Sequence, residues 1–372
     1  MEIFPVRSSK ELKEFILLPW KVYEYDPDWV PPLVYERKKF FNKNKNPFFK
    51  HSEVEYFLAR ENSEVIGRIA AIVNFRHNQF HLDKVGFFGH FEVIRDYEAA
   101  FGLLNAAKDW LKYRGMEVMR GPANFSTNDD VGLLIEGLNQ PPVIMMPYNP
   151  GYYIEFVESF GLRKVKDLYS YFFDPQIGFP ENMLILSEKF KKKGNIVIRN
   201  LNLKKLDEEL EIIKEIYNAA WSNNWGFVPL TEEEIDFLAQ YLKSFVDPNL
   251  VFLAFVNGKP AGFSLSLWDI NQVLIKTSGK LFPFGFLKII WNLKVRRAMD
   301  RARVIILGVT PEFQKKGIEL IFFTESFLAG VKRGCKVGDF GWILEDNLLI
   351  RKPLEKMGAK VYKVYRMYEM EI

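Results

Sequence analysis

The chain has 372 residues but a single cysteine, Cys335, so no internal disulfide can form and no thiolate cluster can hold a metal. Cys335 stands at the start of a predicted strand and reads as a small buried hydrophobe. Histidine is scarce as well, with 4 residues. His77 and His81 are four apart with Asp83 close by, but residues 74–83 read as a link between two strands. Two such histidines converge only on a helix, and zinc sites usually take three or four ligands of this kind. No metal is expected. No stretch approaches the ~20 apolar residues that cross a bilayer, and residues 1–7 lack the apolar core of a signal peptide; a cytoplasmic protein is expected. The formal charge is only +4, which does not call for a nucleic-acid partner yet is compatible with an anionic cofactor.

What is present is the composition of a globular protein, 48% hydrophobic and 26% charged, with 34 Phe that suit a Phe-rich core. The length allows two domains, each with its own core. A degenerate internal repeat supports two halves. Val157, Glu158, Ser159, Phe160 and Gly161 match Leu354, Glu355, Lys356, Met357 and Gly358. Arg114 and Gly115 mirror Arg333 and Gly334, and the first half carries a longer connection over roughly residues 122–148. In the first half a hairpin about Asn62 and Ser63 is predicted, then a strand over 84–93, a helix over 97–113 and a strand over 116–120. In the second half, helices are predicted over 207–220 and 232–245, then a hairpin about Asn257 and Gly258. Residues 173–200 suit a connection with one short helix.

The most informative stretch is 304–359. Residues 304–310 read as a strand, Pro311 to Ile318 as a turn holding Lys315, Lys316 and Gly317, and 319–332 as a helix. Such a turn aims several backbone N–H groups at one spot, and the helix N-terminus adds partial positive charge, which makes an anion site. A second strand over 336–342 and a helix opened by Glu345, Asp346 and Asn347 follow. The first half lacks such a turn: Ile94, Arg95, Asp96, Tyr97 and Glu98 bring two acids and no glycine.

This segment resembles the GNAT superfamily of acyl-CoA-dependent N-acyltransferases. Gln314, Lys315, Lys316, Gly317 and Ile318 match its pyrophosphate loop, with Glu319 at the last small position and Leu354 where the family often has a general-acid Tyr. The resemblance implies an α+β protein of two tandem GNAT-like domains, each a mixed, mostly antiparallel twisted sheet flanked by helices. Residues 1–174 form the degenerate domain and 175–372 the one with the acyl-CoA site. It implies acetyl-CoA or another acyl-CoA as co-substrate and a small-molecule or peptide amine as acceptor. Gly308, Val309 and Thr310 are expected to pair with the pantetheine, and Gln314, Lys315, Lys316, Gly317 and Ile318 to hold the pyrophosphate. Glu345, with Asp339 as the other candidate, or a water is expected to take the amine proton. The thiolate would be protonated by solvent or by a Tyr such as Tyr152 or Tyr153. The alternative is a non-catalytic GNAT-fold binding protein that uses the interdomain groove for a small ligand or peptide.

Three polar clusters are candidates for the acceptor. Residues 121–130 include Asn128 and Asp129, which could hold an amine or simply cap a turn. Trp221, Asn224 and Trp225 precede Thr231 and Glu234, which read as a capping box. Trp342, Glu345 and Asn347 follow a strand that in the family splays to admit the pantetheine arm; the alternative is that Asp346 or Asn347 only caps the next helix. Residues 281–291 are strongly apolar and precede Lys294, Arg296, Arg297, Arg301 and Arg303. Peripheral membrane contact through 281–303, a lid over an acyl chain and burial against a neighbouring domain are all open.

Overall fold

A computed structural model describes residues 1–222, 224–243, 245–277, 279 and 299–372. Residues 281–298 of the suggested membrane-contact segment lie outside them. The strands are β1 (Glu2–Pro5), β2 (Ser52–Glu61), β3 (Glu64–Asn74), β4 (Val85–Val93), β5 (Val118–Gly121), β6 (Leu133–Glu136) and β7 (Arg163–Phe173). They continue with β8 (Ile196–Asn200), β9 (Val251–Val256), β10 (Lys259–Trp268), β11 (Arg301–Val309), β12 (Val337–Leu344) and β13 (Lys360–Glu371). The chain forms two compact units. Unit 1 holds Met1–Leu168, the described residues from 273 to 279, and Lys363–Ile372; unit 2 holds Tyr169–Gln272 and the described residues from 299 to Tyr362.

In unit 1 the strands run in the order β1, β2, β3, β4, β5, β13, and β6 also pairs with β13. Every pair is antiparallel except β4 with β5. The β2–β3 hairpin turns at Asn62 and Ser63, whose φ of 48° and 68° place both in the left-handed region favoured by two-residue hairpin loops. The Tyr97–Tyr113 helix starts at Asp96, whose carboxylate accepts from the Ala99 N–H at 2.8 Å. Ala100, Leu103, Leu104, Ala107 and Leu111 follow at helical spacing and are buried against the sheet in one cluster with Ile69, Phe88 and Val157. The link over 74–83 is not extended as expected. Asn74 caps a helix over Phe75–His81 by accepting from the Arg76 and His77 N–H groups, a local bond that outweighs the weak helix preference of these residues.

Unit 2 is a sheet in the order β8, β9, β10, β11, β12, antiparallel except for the parallel pair of β11 and β12. The second half of β7 lies beside β12. The expectation of a connection with one short helix over 173–200 is corrected here. Glu181–Gly194 is a helix of 14 residues, and Ile196–Asn200 is the edge strand β8. Its helical stripe is hard to see because the last turn is all lysine and glycine. The Glu232–Leu242 helix opens with the expected capping box, Thr231 accepting from Glu234 N–H and the Glu234 carboxylate from Thr231 N–H. The architecture is α+β, with mixed, mostly antiparallel strands flanked by helices in each unit.

Candidate functional site

In unit 2 the ladder between β11 and β12 covers Arg301↔Val337 to Val304↔Phe340 and then stops. Beyond it, Ile305, Ile306 and Leu307 on β11 and Trp342 and Ile343 on β12 are half-buried, so an apolar opening begins where pairing ends. On its other side β11 stays paired with β10, Val309 opposite Gly262. The Thr310 N–H donates to Ala261 O at 2.9 Å and its hydroxyl points to the same oxygen. Backbone groups alternate along a strand, so Gly308 also faces β10 and Val309 faces away from it. Of the three residues expected to meet the pantetheine amides, Gly308 and Thr310 are thus committed to the sheet. Gly308 also lies under the Trp221 ring, which a Cβ at that position would meet at 2.0 Å.

A 3-10 turn over Pro311–Phe313 and two left-handed residues, Lys315 (φ 62°) and Gly317 (φ 84°), lead into the Ile318–Lys332 helix. Gly317 is needed twice. Its φ disfavours any Cβ, and a Cβ there would meet the Phe190 ring at 2.2 Å. The Gln314 side-chain amide donates to Val309 O at 3.2 Å, tying the turn to the strand. Lys315 and Lys316 are exposed, and the Lys316 ammonium sits 4.6 Å from the Phe313 ring centroid. The first N–H groups of the helix have no partner within it, which makes this end attractive to anions. Glu319 stands in this first turn. Burial pushes its carboxyl pKa up, a shift that its own backbone N–H offsets only in part.

After β12 the chain turns at Glu345, Asp346 and Asn347 into the Leu348–Met357 helix. Asn347 is at the cap position, but its side chain makes no capping bond. Arg351 holds this turn instead: its guanidinium donates to Glu345 O and, at 2.9 Å, to the Tyr171 hydroxyl. Nothing local in the sequence marks Arg351, because its partner Tyr171 is far away along the chain. Asp339 is not a free base. It is 1% exposed, lies 3.5 Å from the Arg303 guanidinium and accepts from the Tyr362 hydroxyl at 2.6 Å. Arg303 also donates to Gly341 O, at 2.7 Å, so this buried group braces the start of the opening. Leu354, at the position of the family Tyr, is 0% exposed and belongs to the core with Phe323 and Phe340.

Of the acceptor candidates, Asn224, Trp225 and Asn347 line one depression of about 400 Å³ with Leu344, Asp346, Leu348, Leu349 and Lys352. Leu348 and Leu349 are 51% and 52% exposed, two leucines in the open directly after the cap. Sequence reasoning missed them and Lys352, although their place beside Asn347 was a usable signal. Trp221 packs 5.0 Å from Tyr217 rather than lining this depression.

Asn128 and Asp129 belong to unit 1, in a turn where Asp129 accepts from Ser126 N–H at 3.2 Å and Ser126 Oγ from Asn128 N–H at 3.1 Å. Tyr152 and Tyr153 are also in unit 1. The Tyr153 hydroxyl accepts from Val93 N–H at 2.7 Å and donates to Glu92 at 3.0 Å. Tyr152 donates to Val93 O, and burial pushes its pKa up to about 12. Both phenols are thus engaged within the unit 1 fold, which removes the basis for casting either as the acid. His77 and His81 do come together on one helix, ring centroids 4.4 Å apart and planes tilted by 38°. Burial, first, and the neighbouring His81 and Arg120 lower the His77 pKa to about 3. Asp83 lies 3.6 Å from His77 Nε2 and would favour its charge, but Asp83 is itself pushed up by burial, so desolvation prevails. Among the described residues no group of three or more His, Cys, Asp or Glu is placed to hold a metal ion.

No protein-family model matches the chain. It is 36% identical to the "Bacterial ceramide synthase" of Caulobacter vibrioides, over 99% of this chain and 97% of that protein. It is 34% identical to "Protein YghO" of Escherichia coli, over 98% and 94%. A tandem GNAT protein from the clavulanic acid biosynthesis pathway superposes with a TM-score of 0.59 over 100% of this chain and 98% of that one. At 11% identity that likeness establishes the fold and nothing further. None of these neighbours favours the non-catalytic reading. Over nearly its whole length the chain belongs to the family of the Caulobacter ceramide synthase and YghO, on a tandem GNAT fold.

Proposed function

We propose that the chain is an N-acyltransferase that makes ceramide-like amides, moving a fatty acyl group from a phosphopantetheine thioester, as in acyl-CoA, to the amine of a long-chain amino alcohol. The observation that carries this reading is the parting of β11 from β12 after Val304↔Phe340, at whose end stand the Gln314–Gly317 turn and a helix N-terminus. A phosphate bound at that turn would lead its arm into an opening lined by Ile305, Ile306 and Leu307. The backbone of Val309, facing that opening, would meet the thioester. The kinship with a ceramide synthase supports a lipid amine as acceptor in place of a peptide.

The attacking amine must lose a proton. Glu345, half-buried beside the depression formed by Asn224, Trp225 and Asn347, is the carboxylate proposed to accept it, directly or through water. The thiolate that leaves takes its proton from solvent, since the position of the family acid is Leu354. Exposed Leu348 and Leu349 suit the first carbons of a long chain whose amine and hydroxyl groups meet Asp346, Asn347 and Asn224.

The test is direct. The purified chain is incubated with palmitoyl-CoA and sphinganine, and both free thiol and N-acyl product are measured. Thiol release matched by amide formation is expected. Absence of amide with either a CoA or a protein-bound thioester would remove the reading. Glu345→Gln is expected to lower kcat about 100-fold near neutral pH, within the usual range for a general base, and less at higher pH where free amine is plentiful.

A further inference from the structure

The phosphate turn has a positively charged neighbour that the transfer chemistry leaves unused. On the Glu181–Gly194 helix, Lys189, Lys192 and Lys193 follow i, i+3, i+4 and share one exposed face. Phe190 in the same turn rests on Gly317, so this face flanks exposed Lys315 and Lys316. Lys191 differs from its neighbours: it turns to Glu188 and Glu325, at 2.6 and 2.5 Å. Among the described residues none of the other five lysines has a carboxylate within salt-bridge distance. Besides Glu188 and Glu325, which Lys191 engages, the acids close by in sequence are exposed Glu312 and the half-buried Glu319.

The seat beside these lysines is reduced. Phe190 covers Gly317, and the half-buried Glu319 places a carboxyl group in the first helical turn, beside the free N–H groups of that end. A single phosphodiester asks for fewer of those N–H groups than a diphosphate does. The geometry points to an acidic acyl carrier protein as the natural donor, docked on the face of Lys189, Lys192, Lys193, Lys315 and Lys316 with its phosphopantetheine arm passing the Gln314–Gly317 turn. This rests on the acyl transfer proposed above. In the reaction the C–S bond of the carrier's thioester breaks, a C–N bond forms with the amine, and the amine proton ends on the carrier's thiol. Nothing is oxidised or reduced. Complementary charge across such a surface acts chiefly on encounter and register, so it is read in KM and in salt dependence.

The experiment compares palmitoyl-CoA with a purified holo acyl carrier protein loaded with palmitate, sphinganine being the acceptor for both. The full chain and a Lys189→Glu/Lys192→Glu/Lys193→Glu variant are assayed, and a thermal melt checks that the variant folds. The expected result is a KM for the loaded carrier at least ~10-fold higher in the variant, a KM for palmitoyl-CoA within ~3-fold, and strong weakening of the carrier reaction by salt. A chain active with palmitoyl-CoA but inactive with the loaded carrier overturns this proposal and leaves the transferase reading standing. Equal KM shifts for both donors, or none for the carrier, also overturn it. So does a variant that loses binding to anionic phosphatidylglycerol vesicles while its carrier KM is unchanged, because the lysines then serve a membrane. Inactivity with both donors removes the acyl transfer and this inference with it.

Discussion

Each unit contains a pair of parallel strands that separate part-way along, and the two openings have different fates. In unit 1, β4 and β5 pair from Val85↔Val118 to Phe87↔Arg120. Past that point the chain fills its own gap: Ala123 N–H donates to Phe88 O at 2.8 Å, and His90 N–H donates to the Asn124 side chain at 2.7 Å. Gly89 permits the approach, since a Cβ there would meet Ala123 O at 1.9 Å. In unit 2 the equivalent stretch of β11 keeps half-buried apolar residues and ends at the Gln314–Gly317 turn proposed to hold phosphate. The same geometry can therefore be structural or functional. The difference lies in whether the next segment supplies backbone donors and an amide that complete the split strand.

This contrast can be broken at several points. The largest effect is expected for Asp339→Ala, which strands the buried Arg303 guanidinium at the root of the unit 2 opening. Removing one partner of a buried pair typically costs about 3–5 kcal/mol. Denaturant melts of the variant and parent test it, and a loss below 1 kcal/mol would mean that the brace is redundant. Next is Asn124→Ala, which leaves the His90 N–H without its acceptor; an unsatisfied buried donor costs about 1–3 kcal/mol. Stability should fall with acyl transfer retained, and a loss of kcat out of proportion to folded protein would show that the closed opening has a catalytic part.

Acid should act on unit 1 first. All four histidines, His51, His77, His81 and His90, belong to it. Below pH ~6.5 the unfolded chain binds a proton at His77 that the folded chain refuses until about pH 3, so stability declines as pH falls through that window. The slope per such group is about 1.4 kcal/mol per pH unit, or about 2 kcal/mol between pH 6.5 and 5. A His77→Gln variant should show a flatter pH profile in urea melts; an unchanged slope would assign the acid sensitivity elsewhere. The smallest effect is expected at Gly317→Ala. The φ of 84° and the Phe190 ring push the turn out of shape, and kcat/KM should fall ~10-fold, worth ~1.4 kcal/mol of transition-state binding. An unchanged kcat/KM would show that the turn does not hold the donor.

Much of this plan can be read from local chemistry. Asn257 and Gly258 adopt the left-handed angles their hairpin needs, and the Tyr97–Tyr113 helix follows its apolar spacing to the residue. The turn before the Ile318–Lys332 helix is legible because Gly317 marks a left-handed position between strand and helix. What escaped depends on distant partners. Nothing near Asn124 announces that its side chain will complete β4, and nothing near Tyr171 announces Arg351. The Glu181–Gly194 helix hid behind Pro175, Gly178 and Pro180, which read as a linker, while the lysines after it masked its apolar face. Phe190 on Gly317 could be seen only in three dimensions.

β13 has a bearing on synthesis. Val364 to Glu371 supply partners for β5 and β6 in unit 1, and the ribosome makes them only after the whole of unit 2 has been synthesised. The half begun first is therefore finished second. Until then β5 and β6 display unsatisfied edges, the kind of surface that invites mispairing in a nascent protein. Chaperone demand during translation should accordingly depend on how long that last ribbon is delayed.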